Sequence, residues 1–131
     1  MLGIDTNVLV RFLVRDHSAQ FARARRLIRR EVAAGDDVFV SLLVLLETEW
    51  VLRSRYQLPK AEIIAIVSGL LDATEIRFED EAAIEETLFL WNDSATEFAD
   101  CLIGTRNRRL GCRATATFDA KAVKLPSFVA P

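Results

Sequence analysis

The sequence predicts an α/β fold: a parallel sheet with helices on both faces. Three observations lead there. Short aliphatic runs alternate with helical segments from one end of the chain to the other. The chain has 131 residues, the size of one domain, and no repeat, low-complexity tract or Pro/Gly-rich linker divides it. Hydrophobic residues make up 51% of it, enough for a sizeable core. Alternation of strand with helix or helix pair is the pattern of parallel sheets, whose crossovers lay helices on the faces.

The elements follow in order. Leu2–Ile4 is a short apolar run ending at Asp5 and reads as the first strand. Val8–Val14 continues as a short helix. His17–Ala34 is helical, with Phe21, Ala24, Leu27, Ile28 and Val32 on one face, and Gly35 closes it in the usual C-cap position. Asp36-Asp37 turn the chain into strand Val38–Val40. Leu42–Tyr56 is a helix, and Pro59 opens another that buries Ile63, Ile64, Val67, Leu70 and Leu71. Thr74–Phe78 reads as a strand. Glu79–Trp91 is a helix with Ile84, Leu88 and Trp91 inward, and Glu97–Leu110 is a helix closed by Gly111. Arg113–Phe118 and Ser127–Val129 are the last strands.

Composition excludes several classes. The longest uncharged apolar runs, Val38–Leu46 and Ile63–Leu71, are far short of the roughly 20 residues a bilayer span needs. Asp5, Arg11, Arg15 and Asp16 interrupt any signal-peptide core. Two cysteines and one histidine exclude a Cys/His zinc site and a disulfide scaffold, and favour a reduced, cytoplasmic setting. The net charge of −2 conceals an asymmetry: residues 1–35 sum to +4, 36–71 to −2, 72–100 to −9 and 101–131 to +5. Fourteen of the 17 basic residues are arginine, the side chain best suited to phosphate. Solvated helix faces account for the same charges.

In parallel sheets, ligands bind outside the carboxyl ends of the strands. Four acids fall at such places. Asp5 ends the first strand and reads either as a helix cap or as a ligand; Thr6 and Asn7 beside it can cap equally well. Glu47 lies in an almost solidly apolar helix with no cation one turn away, so on a buried face it would need a cation. Glu49 has Arg53 at i+4 and reads as an ordinary surface pair. Asp100 has Glu97 one turn before it, two like charges that cost stability unless something positive lies between them. Asp119 follows the strand Arg113–Phe118 and by itself reads as a cap for a short helix. All four can project to one crest. Carboxylates without His or Cys are hard oxygen ligands suited to Mg²⁺ or Mn²⁺, and the chemistry that fits is metal-assisted phosphodiester hydrolysis.

Four short motifs, in this order, resemble those of the PIN-domain ribonucleases. They are Asp5-Thr6-Asn7, Leu46-Glu47 with Trp50-Val51-Leu52-Arg53, Phe98-Ala99-Asp100, and Thr117-Phe118-Asp119. More closely, the chain is similar to the VapC-type toxins of bacterial toxin–antitoxin pairs. The resemblance runs from residue 1 to about Val129. It implies a three-layer α/β/α sandwich around a central parallel sheet, as one PIN-like ribonuclease domain over residues 1–131. It implies Mg²⁺ or Mn²⁺ held by Asp5, Glu47, Asp100 and Asp119, and endonucleolytic cleavage of RNA. Thr6, Asn7 and Thr117 fall where the family keeps small polar groups that orient ligands or water. Glu97 stands where the family often has Asp, so it either reaches the site or turns to solvent. The implied partners are an RNA substrate, a VapB-like antitoxin and a second copy of the chain, with a larger hetero-oligomer when antitoxin binds.

Arg11 and Arg15, one turn apart beyond the first acid, are candidates for phosphate contacts, as are Arg106, Arg108, Arg109 and Arg113 beyond the third. Solvated faces suit each equally. Cys101 reads as a packed thiol, His17 as a surface residue near a helix start, and Trp50 and Trp91 as core. Two other functions compete. A PIN-like domain that binds RNA or protein without catalysis is disfavoured by the presence of all four acids. A haloacid-dehalogenase-like phosphatase with Asp5 as nucleophile would want a second Asp at position 7, where this chain has Asn7.

Overall fold

In a computed structural model covering residues 1–131, the chain runs as two segments, Met1–Glu79 and Asp80–Pro131. The first carries β1 (Leu2–Gly3), α1 (Thr6–Leu13), α2 (Ser18–Ala33), β2 (Val38–Val40), α3 (Leu42–Ser54), α4 (Lys60–Asp72) and β3 (Ile76–Phe78). Its three strands form a parallel ladder in the order β1-β2-β3, with Leu2 opposite Val38 and Val38 opposite Ile76. The predicted strands and helices are all present, with bounds shifted by at most two residues. The fold is of the α/β class, with a parallel sheet and helical crossovers between its strands, as the alternation predicts.

Local chemistry explains the boundaries. The Ser41 hydroxyl accepts from the Val44 N–H at 3.2 Å and caps α3. A second cap comes from far along the chain: Glu79, placed by the sequence at a helix start, follows β3 and accepts from the Leu42 N–H at 3.2 Å. His17 is exposed, as expected, and its Nδ1 accepts from the Gln20 N–H at 3.2 Å to cap α2. Gly35 ends that helix at φ +79°, a conformation that costs glycine little. Ala24 and Ile28 of α2 are buried as expected, whereas Val32, in the last turn of the helix, is exposed.

The buried stripe of α3 is Leu42, Leu45, Thr48, Glu49 and Leu52. This corrects two expectations. Trp50, read as core, is 55% exposed, beside Leu43 at 78%. Glu47 is exposed and Glu49 is buried at 3% exposure, the reverse of the sequence reading. In a helix apolar nearly all round, composition does not say which stripe faces inward.

The second segment carries α5 (Glu81–Asn92), α6 (Phe98–Arg109), β4 (Thr115–Ala116), a 3₁₀ turn (Ala122–Lys124) and β5 (Phe128–Val129). The β4 and β5 strands pair in parallel with each other, Thr115 opposite Phe128, in a ladder separate from the three-stranded one. Both of these strands are only two residues long. Ile84, Leu88 and Trp91 of α5 are buried as expected, and Trp91 meets Phe98 of α6 edge-on at 5.2 Å between ring centroids. Cys101 is a buried thiol 3.3 Å from the Thr96 hydroxyl. Gly104 lies under the Phe128 ring so closely that an added Cβ would overlap a ring carbon. No helix is long and apolar enough to cross a membrane.

Candidate active site

Asp5 follows Ile4, whose N–H extends the β1–β2 ladder to the Phe39 carbonyl at 3.1 Å. The backbone then turns into α1, with Asp5 at its N-cap and its Oδ1 accepting from the Thr6 N–H at 2.8 Å. The cap reading is thus correct, and Oδ2 is left without a protein donor. Asn7 is exposed and Thr6 buried. Glu47 projects from the exposed side of α3. The hydroxyls of Thr6 and Thr48 are buried without a hydrogen-bond partner, and each directly follows one of these two acids. Buried polar groups of that kind are exceptional in folded proteins.

In the second segment, α6 begins with a capping box. Glu97 is the N-cap, its carboxylate accepts from the N–H at Asp100, and Asp100 Oδ2 accepts from the Glu97 N–H at 3.3 Å. This reciprocal arrangement gives the two like-charged acids one turn apart a structural reason. Asp119 opens the turn toward Ala122–Lys124: its Oδ1 accepts from the N–H groups of Lys121 (2.7 Å) and Ala122 (3.0 Å). Those donors, Ala122 first, hold the Asp119 carboxyl below its ordinary range. The Thr117 hydroxyl accepts from the Asp119 N–H at 3.0 Å and so fixes the residue it was expected to assist.

Asp100 and Asp119 line one cavity of about 410 Å³, together with Thr96, Glu97 and Lys121. Lys121 is not among the residues the sequence singles out; its place two residues after Asp119 is the one signal for it. Asp5, Asp100 and Asp119 share one arrangement. Each engages one carboxylate oxygen with backbone N–H and keeps the other free of protein hydrogen bonds. Neither segment by itself gathers three or more His, Cys, Asp or Glu into a metal-binding group; the four expected acids divide two and two. As a donor set they fit a hard divalent cation, being oxygen ligands with no soft atom, and backbone hydrogen bonds orient three of them, Asp5, Asp100 and Asp119.

The arginine candidates fare differently. Arg11 is held by Gln20 (2.5 Å), Asp16 (3.1 Å) and the Tyr56 hydroxyl (3.1 Å). Arg15 lies over the Phe21 ring at 4.6 Å. Arg108 pairs with Glu86, and Arg109 with Asp80 at 2.8 Å, so both of these hold helix α6 against α5. Arg106 also has an internal contact, and Arg113 is exposed.

A parallel α/β core with acids at strand ends and helix caps defines a class, and a family model supplies its name. The PIN domain model matches residues 3–126, and the chain belongs to the PIN-domain family. It is similar to a VapC ribonuclease of Aquifex aeolicus (strain VF5), at 23% identity over 122 residues, 93% of this chain and 90% of that protein.

Proposed function

We propose that the protein is a metal-dependent endoribonuclease and the toxin of a VapBC-like toxin–antitoxin pair. The observation that carries this reading is the pair Asp100 and Asp119, each with one anchored and one free carboxylate oxygen, on one cavity of a PIN-family chain. The similarity to a VapC ribonuclease supports the nuclease and toxin assignment. Asp5, Glu47, Asp100 and Asp119 would hold Mg²⁺ or Mn²⁺. The ion, when bound, supplies charge stabilisation to a phosphodiester under attack. The backbone donors at Thr6, Glu97, Lys121 and Ala122 fix the carboxylates of Asp5, Asp100 and Asp119 before the ion arrives. Thr117 positions Asp119, and Glu97 acts as the helix cap that sets Asp100.

The whole chain would serve as one functional domain in the cytoplasm, with RNA as substrate. The exposed Leu43 and Trp50 on α3 supply apolar surface for a second copy of the chain or for an antitoxin, in a homodimer that enlarges when antitoxin binds. Purified protein incubated with total RNA, with and without Mg²⁺ or Mn²⁺, tests the reading. Discrete metal-dependent fragments are expected. RNA bound but left intact would favour a binding domain without catalysis.

A further inference from the structure

A groove of about 930 Å³ runs between α1 and α2, and four of its lining residues are arginines: Arg11, Arg23, Arg26 and Arg30. No acid lines it. Arg23 and Arg26 are exposed and have no acidic partner, and Arg30 reaches Glu31 only at 3.7 Å. Asp16, Gln20 and Tyr56 fix Arg11 through Nε and Nη1, leaving Nη2 available. Asn7, two residues beyond Asp5, lines the same groove. Arg23, Arg26 and Arg30 are not among the phosphate candidates that adjoin the acids in sequence, although their i, i+3, i+7 spacing puts them on one face of a helix.

We propose that this groove binds the sugar-phosphate backbone of single-stranded RNA, with Arg23, Arg26 and Arg30 as phosphate contacts. The proposal rests on the ribonuclease reading above and extends it to a binding track. The charge complementarity is one-sided. Arg23, Arg26 and Arg30 recur about once per helical turn, and of the three only Arg30 has a carboxylate near it, which suits a ligand that is itself a repeating anion. The floor, which includes Leu27, is apolar and can accept ribose and base faces. No aromatic side chain lines the groove, so its contribution is contact with the backbone and tolerates any sequence. These arginines position substrate and take no part in the chemistry.

The test uses the full chain in EDTA, so that no cleavage occurs, and a fluorescein-labelled single-stranded RNA of mixed sequence. Binding is followed by anisotropy over a series of KCl concentrations. The double variant Arg23→Ala/Arg26→Ala should bind roughly tenfold more weakly at low salt, with the log–log salt slope shallower by about 1.4, the value for two lost single-strand phosphate contacts. Arg25→Ala/Arg29→Ala removes the same charge from the same helix outside the groove and should lose much less. No binding by the wild type, an unchanged affinity and slope in the first variant, or an equal loss in both variants would overturn the proposal. So would an acidic helical peptide that binds the wild type but not the first variant while RNA binding is unaffected; the groove would then serve a protein segment. If the expected RNA-binding differences appear but RNA stays intact with Mg²⁺ and Mn²⁺, the groove stands and the ribonuclease reading falls.

Discussion

Arg53 directs its Nε–H at both carboxylate oxygens of Glu49, 3.2 Å from each, one turn apart on α3. Glu49 is 3% exposed whereas Arg53 keeps contact with solvent, so the pair is an anchor reaching inward from the surface. Its two ends are therefore unequal. Arg53→Ala strips a charge partner from a buried carboxylate and should cost about 2–3 kcal/mol. Glu49→Gln keeps a hydrogen-bond acceptor and leaves Arg53 hydrated, for about 1 kcal/mol. Urea unfolding of both variants checks the order. A larger cost for Glu49→Gln would show that shape, not charge, holds this part of α3.

The candidate site gives a second prediction. Asn at position 100 can still accept from the Glu97 N–H, so Asp100→Asn should fold with a stability change under about 1 kcal/mol while RNA cleavage falls by at least about 100-fold. Mn²⁺ at one hundred times its Kd should stabilise the wild type by about 2.7 kcal/mol and the variant by less. Calorimetric melting with and without Mn²⁺ reads both effects. Equal shifts in the two proteins would place the ion elsewhere.

The ion pair of Asp80 and Arg109 predicts a pH dependence. The Arg109 hydrogen bond holds the Asp80 carboxyl below its ordinary value of 3.8. A carboxyl with a lowered folded-state pKa stabilises the fold above the unfolded value, and that contribution fades as pH falls through the folded one. Asp80 also accepts from the Ala83 N–H at 3.2 Å as the α5 cap, a bond that Asn can replace. Asp80→Asn should therefore lower the melting temperature modestly at pH 7 and have progressively less effect below about pH 4. Both groups meet solvent, so added salt should shrink the difference at pH 7.

Gly104 under the Phe128 ring predicts that Gly104→Ala destabilises the protein, despite alanine's better helix propensity. The ring must move, at a cost of about 1–3 kcal/mol. Adding Phe128→Leu should recover part of that loss in a double-mutant cycle. Independent, additive effects would mean that the two residues do not press on each other.

Much of the fold is legible in the residues themselves. Strand and helix order follows from hydrophobic alternation, and Gly35 and Gly111 mark helix ends by their need for positive φ. The acids at 5, 100 and 119 stand out because they fall at element boundaries, where sequence punctuation is strongest. The inversion of Glu47 and Glu49 has a different cause. On α3, Leu43, Val44, Leu45 and Leu46 surround the helix axis, so periodicity gives no phase, and the stripe is fixed by tertiary contacts alone. The cap that Glu79 supplies to α3 is equally hidden, because 37 residues separate it from Leu42. The separate β4–β5 ladder is illegible because strands two residues long carry almost no pattern of their own.

The division of the chain at Glu79 has a consequence for the order in which the protein is made. Asp5 and every arginine of the groove have been incorporated once residue 30 is added, and Glu47 follows within the first segment. Asp100 and Asp119 come only with the second. At roughly 5–20 residues per second, several seconds separate the two events. In that interval a nascent chain carries a cationic stretch into surroundings made largely of ribosomal RNA, while two of the four candidate-site carboxylates, Asp100 and Asp119, are still untranslated.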